Sequence, residues 1–79
     1  MRTATQLKPR EEALLTGFSN DRMAAMMLEL GCLPGSRVRL VRRGLWHGPL
    51  YLEIADRILA FRENEADALL VSDFAAVPI

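Results

Sequence analysis

Residues 21–43 read DRMAAMMLELGCLPGSRVRLVRR, and within them a helical period gives way to a strand period across one turn. Met23, Met26, Met27 and Leu30 fall at i, i+3, i+4 and i+7, which places them on one face of a helix. Ser19, Asn20 and Asp21 each offer a side chain able to cap the first amides, and Gly31 can take the left-handed conformation that ends a helix. Pro34 forbids continuation. The stretch therefore predicts a helix over about 21–30. At about 100° per residue, Leu28 points well away from the methionine stripe and is expected to be exposed. Beyond Pro34-Gly35, the order Arg37, Val38, Arg39, Leu40 has the period of a strand with one wet face. The alternation breaks at Val41-Arg42, a place for a bulge.

Upstream of the helix, residues 3–9 form a mostly polar lead-in that packs one side chain, Leu7. Residues 12–18 read as a strand, in which Gly17 permits a bulge or a close approach. Downstream, 44–49 is a loop and 50–55 alternates again, with Leu50, Leu52 and Ile54 opposite Tyr51, Glu53 and Ala55. Asp56-Arg57 reads as a tight turn because Asp tolerates positive φ, and 58–62 is again strand-like. A helical turn over 64–67 leads into a last strand over 68–72. Five short strands and one helix predict a mainly β fold, a small closed barrel with one inserted α-helix. Leu14, Val38, Leu40, Leu52, Ile54, Leu59 and Phe61 are its expected core.

Seventy-nine residues, half of them hydrophobic, suffice for a single domain, here taken as 1–79 with a core over about 7–72. One cysteine gives no internal disulfide, and four-ligand zinc spacing needs more Cys and His than the chain has. Its longest apolar stretch, 23–28, is far short of a membrane span, and the N-terminus lacks the basic-then-apolar order of a signal peptide. A cytoplasmic location is expected. Ten basic and ten acidic residues cancel, so no global field draws the chain to nucleic acid. Locally, 37–62 carries six arginines against Glu53 and Asp56, whereas 63–79 has four acids and no base.

Several segments in order carry a resemblance to a known family: Leu7-Lys8-Pro9, Gly17-Phe18, the run LELGCLPGS over 28–36, Pro49-Leu50, LAFRENEA over 59–66, and Leu70-Val71. Together they resemble the FeoA family, with coverage from about Leu7 to Ser72. The resemblance implies an SH3-like β-barrel with an inserted helix. It also implies a non-enzymatic cytoplasmic accessory protein of bacterial ferrous iron uptake that acts with the membrane transporter FeoB. The same fold occurs in this picture as a C-terminal module of metal-responsive repressors of the DtxR type; the lack of a preceding winged-helix region favours the stand-alone protein. Where relatives often have Gly after the Lys-Pro, this chain has Arg10, and where the hairpin turn is often Gly it has Asp56. Its loop Gly44-Leu45-Trp46-His47-Gly48-Pro49 departs from the common pattern.

No residue pattern here supplies chemistry. Cys32 follows a helix C-terminus, where nothing lowers a thiol pKa, and reads as a small buried hydrophobe. His47 lacks a second ligand at a known spacing, and Glu11-Glu12 and Glu63-Glu65 are pairs by sequence only. No cofactor, catalytic residue or metal ligand is assigned. A binding function remains, and Met26, Leu28, Trp46 and Tyr51 are the candidate partner-binding residues, facing the transporter's cytoplasmic part or a second copy of the chain. The runner-up is a nucleic-acid-binding small barrel using Arg37, Arg39, Arg42 and Arg43. Against it stand the zero net charge and the missing aromatic platform.

Overall fold

The computed structural model describes residues 2–73. Asn20 caps α1 (Asp21–Glu29) by accepting the Met23 amide at 2.8 Å. The helix stops in a Schellman motif: Gly31 has φ 78°, the Cys32 N–H donates to the Met27 carbonyl at 2.8 Å, and the Gly31 N–H donates to the Leu28 carbonyl at 3.1 Å. Cys32 and Met27, the two residues this motif brings together, are both fully buried. The turn that follows carries φ 96° at Gly35, and the Ser36 N–H donates to the Leu33 carbonyl at 3.0 Å, which makes Leu33-Pro34-Gly35-Ser36 a type II turn. This turn is sewn to its neighbour strand by bonds between Gly35 and Leu15 and between Leu15 and Ser36.

The strands are β1 (Arg2–Thr3), β2 (Glu12–Phe18), β3 (Arg37–Arg43), β4 (Leu50–Ile54), β5 (Arg57–Phe61) and β6 (Leu69–Ser72), with a 3₁₀ turn over Ala4–Gln6 and a short helix α2 (Glu63–Ala66) before β6. All pairings are antiparallel in the order β1-β6-β2-β3-β4-β5. Both expected bulges are present, as register shifts between Leu15 and Gly17 and between Leu40 and Arg42. Val38, Leu40, Leu50, Leu52, Ile54, Phe61, Leu69 and Val71 from the sheet bury against Met23 and Met27 of α1 and Leu7 of the lead-in.

Four expectations are corrected. Leu14 is only half-buried, because its cross-strand partners are Arg37 and Ser72, while Ala13 and Leu15 point inward opposite Val38 and Val71. An unbroken apolar triplet does not reveal its own facing, and one residue of slip reverses it. Leu59 lies at the core's edge, partly buried, because among the described residues β5 has a neighbour on one side only. The hairpin turn is Ala55-Asp56, with φ 52° and 66°, one residue earlier than expected. Finally, Arg2–Thr3 adds a sixth strand, and among the described residues β1 and β5 are not joined to each other, so the sheet is barrel-like without being closed by hydrogen bonds there.

Candidate interaction surface

The loop over residues 44–49 is a fixed protrusion. Its neck is held by the Gly44 N–H donating to the Pro49 carbonyl at 2.7 Å, and its tip by the Gly48 N–H donating to the Leu45 carbonyl at 3.0 Å. A Cβ at Gly48 would sit 2.8 Å from the Leu45 oxygen, so that position requires glycine. Trp46 and His47 both have left-handed backbones, φ 56° and 60°, at a cost of about 1–2 kcal/mol for each side chain that is not glycine. Leu45 is 84% exposed and Trp46 94%. Among the described residues the most exposed large hydrophobic side chain is thus held on left-handed backbone.

His47 Nδ1 lies 3.8 Å from Glu63 Oε2, which sets the loop beside α2. The Glu65 carboxylate accepts the Arg62 amide at 2.8 Å and so starts α2. On its other side α2 faces the first turns of α1 across an open cleft of about 340 Å³, lined by Asn20, Arg22, Met23, Met26, Arg62, Asn64 and Glu65. Loop tip, α2 and cleft are therefore contiguous. Met26, half-buried, belongs to this surface. Leu28 is 52% exposed as expected, but two residues beyond Met26 it lies about 200° round the helix and faces elsewhere. Tyr51 is half-buried beneath the Arg42 guanidinium, which stacks 4.4 Å from the ring centroid. Of the four candidate residues Met26 lines the cleft against α2, and the Trp46 loop reaches α2 through His47; Leu28 and Tyr51 stand apart. Asn20 was legible as a helix cap, Arg62 as the end of a strand and Asn64 and Glu65 as part of a helical turn, but not together, because their juxtaposition is made by the fold.

The arginines of β3 are occupied within the protein. Arg39 donates from Nε and Nη2 to one oxygen of Glu53, at 2.9 and 2.7 Å, and Arg43 binds the carbonyls of Thr5 and Leu7. Arg37 lies 3.8 Å from Glu12. Cys32 is buried, with Arg57 Nη2 3.8 Å from its sulfur. Among the described residues no three His, Cys, Asp or Glu side chains converge to hold a metal ion, and no helix is long and apolar enough to cross a membrane.

At the start of the chain Arg2 reaches both oxygens of Glu11, at 3.1 and 3.0 Å, and also binds Asp73. The Arg2 hydrogen bond, together with the Lys8 amide donating at 2.9 Å, holds the Glu11 carboxyl below the usual glutamate range.

The FeoA domain model matches residues 2–73, nearly the whole chain. The chain belongs to the FeoA domain family. Among solved structures, this FeoA domain is similar to the FeoA protein of Chlorobium tepidum, at 20% identity and TM-score 0.83 over 98% of this chain and 74% of that one. It is also similar to the FeoA of Stenotrophomonas maltophilia, solved with zinc and described as a prokaryotic SH3 domain protein, at 28% identity and TM-score 0.77 over 91% of each chain. A manganese-dependent transcriptional repressor shares the fold at 16% identity and TM-score 0.80, with 41% of its length covered. No curated protein matches the chain. The architecture is thus that of the SH3-like FeoA fold, and the family ties the chain to ferrous iron transport.

Proposed function

We propose that this FeoA domain is a non-enzymatic cytoplasmic accessory protein of ferrous iron uptake, and that it works by docking on the cytoplasmic part of a FeoB-type transporter. The surface used is the Trp46 loop together with α2 and the Met26 side of the cleft. The observation that carries this reading is Trp46 itself, 94% exposed on left-handed backbone at the tip of a hydrogen-bonded turn. A large amphipathic ring presented on a rigid loop is the kind of side chain that anchors protein interfaces. Met26 in the cleft next to α2 supplies a flexible apolar contact, and Arg22, Arg62 and Asn64 supply a polar rim. The nucleic-acid reading loses its support, since the β3 arginines are engaged by Glu53, Tyr51 and the lead-in carbonyls.

The test is direct binding of the purified protein to the transporter's soluble domain, with and without guanine nucleotide. Trp46→Ser is expected to weaken binding about thirtyfold, as a central aromatic anchor would, while the melting temperature stays nearly unchanged. Leu28→Ser, on the opposite side of α1, is expected to bind as the unaltered protein does. Normal binding by Trp46→Ser would refute the proposal.

A further inference from the structure

Among the described residues β5 has a strand on one side only. It follows a two-residue hairpin turn, so Ile54 and Arg57 are a hydrogen-bonded pair, as are Leu52 and Leu59, and Leu50 and Phe61. Ile58 and Ala60, opposite Glu53 and Tyr51, occupy the alternate positions, where N–H and C=O turn away from β4 toward the open edge. Among the described residues no loop or side chain hydrogen-bonds these groups. Native edges are usually blunted by proline, lysine or a bulge. Arg57-Ile58-Leu59-Ala60-Phe61 has none of these, and its register with β4 is unbroken. The one charge, Arg57, stands at the strand's end with its guanidinium turned to the Cys32 sulfur. Ile58 is 59% exposed, the only large apolar side chain of any strand so open.

We propose that β5 pairs antiparallel with β5 of a second copy, about a two-fold axis at Leu59, to give one continuous sheet across a weak dimer. The register is self-complementary, which an isologous contact demands. Centred on Leu59, it sets Ile58 against the partner's Ala60 and Ala60 against the partner's Ile58. Both pairs fall at hydrogen-bonding positions, so four backbone bonds form and satisfy every outward group of residues 58 and 60. The two Leu59 side chains meet at the closer, non-bonded spacing. On the outer face each isoleucine packs beside the partner's alanine, a large residue against a small one, and loses its exposure. A five-residue strand covers much less than the roughly 1,200 Å² of a stable interface, so the dimer is one that concentration makes and dilution breaks.

The positions supply their own test. Because the Ala60 N–H points away from β4, Ala60→Pro removes a dimer bond from each copy and none from the β4 ladder. Ile58→Lys puts a gatekeeping charge on the same edge without touching the backbone. Sedimentation equilibrium from about 10 µM to about 1 mM is expected to show a monomer–dimer equilibrium. Either substitution is expected to weaken it tenfold or more with unchanged circular dichroism, and the Ile58 and Ala60 amides of the unaltered protein should gain exchange protection as concentration rises. Trp46→Ser, on the surface proposed for the transporter, should leave the dimer unaffected, which separates the two proposals. A monomer at every concentration, a dimer that both variants preserve, or an Ile58→Lys protein that loses transporter binding instead would each overturn the pairing.

Discussion

Arg10 sits at φ 70°, with its amide donating to the Leu40 carbonyl and its side chain exposed. The position after Lys8-Pro9 thus takes the left-handed backbone that glycine would adopt freely, at a cost of about 1–2 kcal/mol. Arg10→Gly is expected to raise stability by about 1 kcal/mol, part of the relief being lost to glycine's greater unfolded freedom, and a urea melt reads it directly. The family resemblance already marked this residue as anomalous, because relatives often carry glycine after the Lys-Pro, and Cys32 read as buried because a lone thiol just past a helix C-terminus behaves as a small hydrophobe. The exposure of Trp46 was legible too, because a Gly-rich loop leaves a large ring little to pack on. The facing of Leu14 was not legible, since Ala13-Leu14-Leu15 offers no alternation and the choice is made by Val38 and Val71 on neighbouring strands.

Among the elements, α1 and its exit turn were legible almost to the residue, because cap, stop and turn are consecutive in the chain. β1 was not, since a two-residue strand exists only by pairing with residues 70 and 71 at the far end of the described chain. Arg2 holds it there through Glu11 and Asp73, while Thr3 and Thr5 both donate to Asp67 Oδ1 at 3.0 Å. Glu11 has a lowered pKa in the folded protein, so the unfolded chain takes up its proton first as pH falls. The contact's stabilisation is whole above the ordinary glutamate range and disappears as pH drops through the depressed value. The protection of the Thr3 amide, measured against its intrinsic exchange rate at each pH, should therefore fall over that acid window more than that of Val38 in the core. In Glu11→Gln, Thr3 should exchange faster at neutral pH and lose the acid-dependent step that belongs to Glu11. A Thr3 amide whose acid response is the same in both proteins would show that the Arg2–Glu11 contact does not hold β1.

Across the described residues the molecule carries two unlike surfaces, an aromatic loop next to a two-helix cleft and an unpaired strand edge with an unblunted apolar sequence. Neither arrangement was visible along the chain. The cleft needs Met23 and Met26 brought against Arg62 and Glu65 some forty residues later, and the edge depends on which strand the topology leaves last. Cover of the loop tip by the transporter, as proposed, is observable through the chain's single tryptophan. With 5-fluorotryptophan at position 46, fluorine NMR of the free protein should give one sharp resonance at the position of a solvated indole. Titration with the transporter's soluble domain, followed in parallel by an independent binding signal, should shift and broaden that resonance in step with occupancy. A resonance that stays sharp and unmoved at saturation would place Trp46 outside the contact and contradict the account.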